Sequence, residues 1–378
     1  MEKAGTSMEQ RKLRSAIVGC GVIHSAHADA ISRLPEHVEL VAVADDKLER
    51  AAKAGEALGV PHFRGLDALL AWGEFDILHV CTPSGLHAAC GIKGANAGKH
   101  ILCEKPIDVT LPAADALIEA CASNNVKLEV VSQHRFSDGM QHLKTWLDEG
   151  KLGRLVFGES VTKWYRTQAY YDSGGWRGTW ELDGGGALMN QGVHYVDQLR
   201  WIMGPIKSVA ATMGTLSHER IEVEDIVSAT IEFENGAVGT LMASTSMVPG
   251  FNQSLEVYGS KGSVRITNSK VMFAQFVTGD EPQTMWGLEG TPAPLVVDGV
   301  WQNDDAEAET TTQGQGAADP RAISNLGHVA HLKDLCECIH SGGETFMNGP
   351  EARYALELIV AVYRSAKTGQ RVMLPLEA

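Results

Sequence analysis

The first third of the sequence repeats one alternation, and that alternation constrains the fold more than any other feature. Apolar runs stand at "SAIVGC" (15–20), "VELVAVAD" (38–45), "DILHVCT" (76–82), "KHILCE" (99–104) and "KLEVVSQ" (127–133). Between them lie helical stretches such as "KLERAAKAGEALG", which stops at a glycine, and "LPAADALIEACASNN". Strands that are apolar almost throughout must be covered on both faces, and helical connections supply that cover. The pattern predicts an α/β, doubly wound parallel sheet over residues 12–134.

The pattern changes near residue 150. "GRLVFGESVTKWYRT" reads as a strand, a helix is expected at about 184–203, and strands then follow one another at 206–216, 222–233, 236–246, 253–259 and 262–267. Asn235-Gly236 is a hairpin turn signal, because that pair adopts the positive φ angles a tight antiparallel turn needs. Two helices, at about 324–341 and 350–368, close the chain. With 378 residues, one core is too few. Residues 135–378 are therefore expected to form an α+β domain with a large open, mostly antiparallel sheet. The acidic stretch "NDDAEAETTTQGQGAADP" (303–320) reads as an exposed loop.

Composition narrows the partners. The net charge of −15 disfavours nucleic acid and anionic lipid. No apolar run reaches the roughly 18 residues of a membrane span, and the polar first residues carry no secretory signal. The seven cysteines are scattered without a CxxC pair, which suits small buried hydrophobes in a reducing cytoplasm. His24 and His27, like His328 and His331, stand three apart with no acid cluster beside them, so no metal site is expected.

The first strand runs into Gly19-Cys20-Gly21-Val22-Ile23 and then a helix. Such a turn lets backbone approach a pyrophosphate, which the helix N-terminus attracts. His24 replaces the third glycine of the usual fingerprint. The second strand ends in Asp45, followed by Asp46. A carboxylate there accepts hydrogen bonds from ribose hydroxyls and repels a 2′-phosphate, so NAD is expected over NADP.

Two further stretches carry chemistry. "ILCEKPIDVT" ends a strand in Glu104-Lys105-Pro106, at the sheet edge where open α/β folds bind ligands. In "GGGALMNQGVHYVDQLRW" (184–201), helical spacing puts Asn190, His194 and Asp197 on one face, with Asp197 a candidate to orient His194. Met189, Val193, Val196, Leu199 and Met203 share the neighbouring, core-facing stripe. Oxidised nicotinamide disfavours a protonated lysine nearby, so either Lys105 or His194 fits a general base.

Together with "CTPSGLHA" (81–88), "EVYGSKGSVRI" and the closing "YRSAKTGQRVMLP", these stretches resemble the Gfo/Idh/MocA (glucose–fructose oxidoreductase / inositol dehydrogenase) oxidoreductases along nearly the whole chain. The resemblance implies that Lys105 is the catalytic lysine and His194 its partner. It implies that Thr82, Pro83 and His87 border the cofactor, that Glu104 lies near the nicotinamide, and that Arg135 faces the domain junction. Asn190 stands where many members carry aspartate, in a form similar to members that oxidise sugars at C3. The aromatic and arginine-rich "KWYRTQAYYDSGGWRGTW" suits sugar faces and permits an anionic group, with Tyr165, Trp176 and Arg177 as candidate contacts alongside Arg135, Asn190 and His194. The expected activity is NAD-dependent oxidation of a secondary hydroxyl, at C3 in one version, of a sugar, sugar derivative or cyclitol by a homo-oligomer. The competing readings are an NAD-dependent glycosidase that oxidises C3 transiently and a non-catalytic NAD or sugar sensor.

Overall fold

The computed structural model describes residues 11–290, residue 294 and residues 325–376; the acidic 303–320 stretch lies outside them. The first sheet is built in chain order from β1 (Leu13–Val18), α1 (His24–Ser32), β2 (Val38–Asp45), α2 (Leu48–Leu58), β3 (His62–Arg64), α3 (Gly65–Trp72), β4 (Ile77–Val80), α4 (His87–Asn96), β5 (His100–Cys103), α5 (Leu111–Ser123) and β6 (Leu128–Val130). All its strands are parallel, in the order β3-β2-β1-β4-β5-β6. That order reverses between β1 and β4, and the crevice at such a reversal is where this fold binds ligands. The expected strands are all present; β3, only three residues long and mostly exposed, carried no apolar signal.

The second half adds α6 (Asp138–Asp148), β7 (Leu155–Lys163), α7 (Gln168–Asp172), α8 (Val193–Met203), β8 (Ile206–Gly214), β9 (Ile226–Phe233), β10 (Val238–Ser244), β11 (Ser254–Gly259), β12 (Gly262–Thr267) and β13 (Lys270–Phe276). A small hairpin of β14 (Gln283–Thr284) and β15 (Gly287–Leu288) follows, then α9 (Leu326–Ser341), α10 (Gly349–Thr368) and β16 (Val372–Met373). The eight-stranded sheet runs β13-β12-β11-β7-β10-β9-β8-β16, antiparallel except where β7 and β10 pair. One face packs on α8 and α10. Gly158 permits this approach, since a Cβ there would lie 2.8 Å from Met203 and 2.9 Å from Leu199. The other face leaves Val156, Val238, Tyr258, Ser228 and Thr230 exposed.

Two returns of the chain fix the crevice. Helix α10, capped by Asn348 with Pro350 in its first turn, packs on α8, β8 and α5. Helix α9 crosses back onto α1, and Asn325 at its start donates to Asp29 on α1. One continuous cluster of buried side chains therefore runs from Ala16 and Val80 in the first sheet to Leu241 and Val257 in the second.

Candidate active site

The glycine turn is built for a close approach. Gly19 has φ +93°, and a Cβ on it would meet the Cys81 carbonyl at 2.5 Å, whereas above Gly21 the space is open. Helix α1 begins at His24 with no side chain capping it, so its first N–H groups stay available to an anion. Asp45 ends β2 beside this turn. Its carboxylate accepts from the Cys20 N–H (2.8 Å) and the Lys47 N–H (2.9 Å), which pins the turn to the second strand. Val22 is exposed and Ile23 half-buried on the same rim. The open cradle, uncapped helix and strand-end carboxylate fit a dinucleotide.

The loop after β4 carries Thr82 and Pro83 and is backed by residues 181–182: the Gly85 N–H donates to the Leu182 carbonyl at 2.9 Å. His87 does not present its ring to a ligand. It is buried, with Nδ1 2.7 Å from the Pro106 carbonyl and Nε2 2.9 Å from that of Thr82, and so staples this loop to the lysine turn.

Lys105 follows the end of β5, joined to Pro106 by a cis peptide bond. Its Nζ donates to the main-chain carbonyl of Asn190 at 2.9 Å. That contact depends on a departure from the regular helix expected across 184–203. Residues Ala187–Gly192 form a π-helical turn before α8 starts at Val193. A π turn shifts the carbonyl register and is common at functional sites. Three glycines make the turn possible: a Cβ on Gly186 would meet the Glu224 carbonyl at 1.7 Å, and one on Gly185 the Tyr363 hydroxyl at 2.1 Å.

Glu224 anchors this turn. Its carboxylate accepts from the Gly186 and Leu188 N–H groups and the Tyr363 hydroxyl, each at 2.9 Å. Burial nevertheless pushes its carboxyl up to about 7. A carboxyl raised from its ordinary range on folding binds more protons native than unfolded between pH 4.5 and about 7. Its contribution to stability therefore falls as pH rises through that window. Urea unfolding of Glu224→Gln is expected to lack that part of the wild-type decline; parallel pH curves for the two proteins would contradict the assignment.

His194 lies on α8, buried, with no hydrogen-bond partner among the described residues. Burial, then the nearby Lys105 charge and His134, push its imidazole well below the ordinary histidine range. Burial and Lys105 likewise lower His134 to about 4; its ring packs edge-on to His194 at 4.7 Å between centroids. Burial also lowers Lys105, against the raising effects of Glu104 and Asp183. The cleft thus holds a lysine that loses basicity and an imidazole that stays neutral.

Around this pair the polar side chains interlock. Asn190 Nδ2 donates to Asp183 Oδ1 (2.7 Å), and Gln191 Nε2 bonds both Asn190 Oδ1 (3.2 Å) and the Tyr170 hydroxyl (3.0 Å). Arg177 donates to the Tyr170 hydroxyl (2.7 Å) and lies against the rings of Tyr170 and Trp176, 4.4 and 4.5 Å from their centroids. Asp183 escaped the sequence reading, although an acid directly before the glycine triplet was its signal. It restores a carboxylate beside the position where Asn190 replaces the more usual aspartate.

Five further expectations need correction. Arg135 does not line the cleft: it is 1% exposed, its Nε and Nη2 donate to Asp197 at 2.8 and 2.6 Å, and it also pairs with Glu351. Asp197 is consequently committed to Arg135 and the Ser132 hydroxyl and does not orient His194; the π turn has broken the shared face. Glu104 turns its carboxylate inward, onto His27 and His328. Those two histidines do find an acid in space, contrary to the reading from spacing, and with Glu104 they place three potential ligand atoms within 4.8 Å of one another. Tyr165, for its part, is 37% exposed and makes no hydrogen bond or ring contact to the Lys105–His194 pair among the described residues.

A dinucleotide cradle facing a lysine and a histidine across two domains defines an NAD-dependent oxidoreductase. Comparisons with known proteins agree. Residues 13–132 match the family described as "Oxidoreductase family, NAD-binding Rossmann fold", and residues 140–265 match the GFO/IDH/MocA C-terminal domain. The chain belongs to the Gfo/Idh/MocA oxidoreductases, a family of NAD-dependent sugar and cyclitol dehydrogenases. It is 30% identical to inositol 2-dehydrogenase of Rhizobium meliloti, over 71% of this chain and 79% of that one. It is 27% identical to D-glucoside 3-dehydrogenase of Escherichia coli, over 98% and 99%. The crystal structure of the WlbA dehydrogenase from Bordetella pertussis in complex with NADH and UDP-GlcNAcA is 33% identical, with a TM-score of 0.81 over 97% of this chain and 100% of that one. No helix among the described residues is long and apolar enough to cross a membrane.

Proposed function

We propose that this enzyme oxidises the C3 hydroxyl of an anionic, nucleotide-linked sugar, with Lys105 as the base and His194 as its partner on the substrate oxygen. The observation that carries the assignment is the convergence of Lys105 Nζ and the 187–194 segment at the mouth of the first sheet, beside Arg177 stacked between two aromatic rings. The likeness to a dehydrogenase crystallised with NADH and UDP-GlcNAcA supports the substrate class.

The reaction removes two hydrogens from a secondary alcohol and gives a ketone. The glycine turn and Asp45 would hold NAD, which when bound would supply the acceptor for the hydride of the carbinol carbon. Lys105 accepts the hydroxyl proton at Nζ, its lone pair made available by burial. His194 stays neutral and bonds the same oxygen as it becomes a carbonyl. Asn190, fixed by Asp183, and Arg177, fixed by Tyr170, orient the sugar and its anionic group. Oxidation should rise with pH as Lys105 loses its proton and level off below the ordinary lysine range, read as kcat against pH. The glycosidase and sensor readings have no observation in their favour. The seven cysteines are all unpaired, in keeping with a reducing compartment, and the exposed sheet face is our candidate for the contact between subunits.

Two experiments bear on these assignments. Arg177→Leu should raise KM for UDP-GlcNAcA while leaving that for UDP-GlcNAc, its uncharged-sugar counterpart, little changed; an equal rise for both would remove the anionic-sugar reading. Asp45→Asn should weaken NAD by about tenfold, ~1.5 kcal/mol for a charged hydrogen bond, and narrow the preference over NADP. An unchanged ratio of the two KM values would argue against Asp45 as the discriminating residue.

A further inference from the structure

Behind the lysine, two histidines from distant parts of the chain close on one carboxylate, and a third joins through the first. Glu104 Oε1 lies 2.9 Å from His27 Nε2 on α1 and 3.0 Å from His328 Nε2 on α9, and Oε2 accepts from the Lys105 main-chain N–H at 3.2 Å. His27 Nδ1 is 2.9 Å from His79 Nδ1, and His79 Nε2 is 3.0 Å from the Ser15 hydroxyl. Every one of these side chains is buried.

Two facing ring nitrogens form a hydrogen bond only if one carries a proton and the other does not. With Glu104 ionised and His27 and His79 neutral, a single arrangement satisfies every contact. The Ser15 hydroxyl donates to His79 Nε2, His79 Nδ1–H to His27 Nδ1, and His27 Nε2–H to Glu104, while His328 Nε2–H donates to the same oxygen. Burial lowers His27 and His79 toward the neutral form, and the two histidine donors hold Glu104 well below the carboxylate range despite its burial. Among the described residues His328 Nδ1 is buried without a partner, and the bond to Glu104 is the one hydrogen bond the ring makes. A lone pair left unpaired in a core costs about 1–3 kcal/mol, which marks His328 as placed for Glu104 and not for packing.

We propose that His27 and His328 are positioning residues for Lys105: their two N–H donors keep Glu104 a carboxylate behind the lysine, and that buried charge favours the lysine's ammonium form. The inference rests on the reading of Lys105 as the base. The other groups acting on Lys105 are Asp183, which supports its ammonium form, and Arg177, which opposes it; its charge in turn acts on His134 and His194. Those acting around Glu104 are the histidines themselves and the thiols of Cys81 and Cys103. The three-ligand spacing of His27, Glu104 and His328 is what two donors sharing one oxygen produce.

The test reads Lys105 without turnover. The rate of acetylation of Lys105 by acetic anhydride, followed by peptide mass spectrometry against pH, gives its protonation in wild type, His328→Leu and His328→Gln. Withdrawing a donor with leucine should let Glu104 take a proton and move the Lys105 curve to lower pH by about one unit, a tenfold gain in reactivity near neutrality. Glutamine, which returns an N–H near the same place, should restore the curve. If the leucine variant does not fold, His328→Asn, too short to reach Glu104, serves in its place. A labelling curve unmoved in folded variants would overturn the proposal, as would stoichiometric zinc in the purified wild-type protein. A labelling curve that shifts while the pH profile of kcat does not would leave the proposal standing and remove Lys105 as the base.

Discussion

Lys105→Met is expected to lower kcat by about 10²–10⁴-fold while NADH binding, read by its fluorescence, stays near the wild-type value. The methionine matches the lysine stem in length but cannot accept a proton. The side chain is half-buried, and its one hydrogen bond among the described residues is to the Asn190 carbonyl. Losing that bond also loosens the π turn, so KM should rise as well, by less than kcat falls. His194→Ala should act differently. Among the described residues His194 has no hydrogen bond to lose, so its loss falls on the step in which the substrate oxygen changes charge. A kcat close to wild type in Lys105→Met would move the base to His194.

Arg135→Ala is expected to cost about 3–5 kcal/mol of stability, read as a fall in the urea midpoint without a change in slope. The guanidinium makes a two-pronged bond to Asp197, pairs with Glu351 and lies 4.9 Å from the Trp201 ring centroid. Removing it strands the Asp197 carboxylate, 3% exposed, with only the Ser132 hydroxyl as partner among the described residues. Adding Asp197→Ala to that variant should recover part of the loss, because the stranded charge is the larger share of the penalty. A simple sum of the two single effects would mean that the groups act independently. This cluster ties the end of the first sheet to α8 and α10, and so holds the two walls of the cleft in register.

The first sheet was legible because its signal is redundant: apolar strands, glycine-terminated helices and a glycine turn all agree. Strands β8 to β12 could also be read, each bounded by a turn. Lys105 and His194 could be found because strand-end and helix motifs mark them. Their surroundings could not. Arg135 and Asp197 look like cleft residues in sequence, each beside a recognised motif, yet they neutralise one another 62 positions apart. The π turn has no sequence signature beyond its glycines, and it displaces Asn190 from the face it would share with Asp197 in a regular helix. Glu104 finds His27 and His328, 77 and 224 positions away, only because α9 returns to α1. Contacts of that range are set by the packing of whole elements, which spacing does not record.

The most direct test of the central claim is to mix wild-type protein with NAD and UDP-GlcNAcA and follow nicotinamide absorbance together with product mass. NADH is expected in step with a product lighter by two hydrogens, with deuterium placed at C3 passing to the cofactor. NADH formed from a substrate deuterated at C3, with the label retained in the sugar, would contradict that claim.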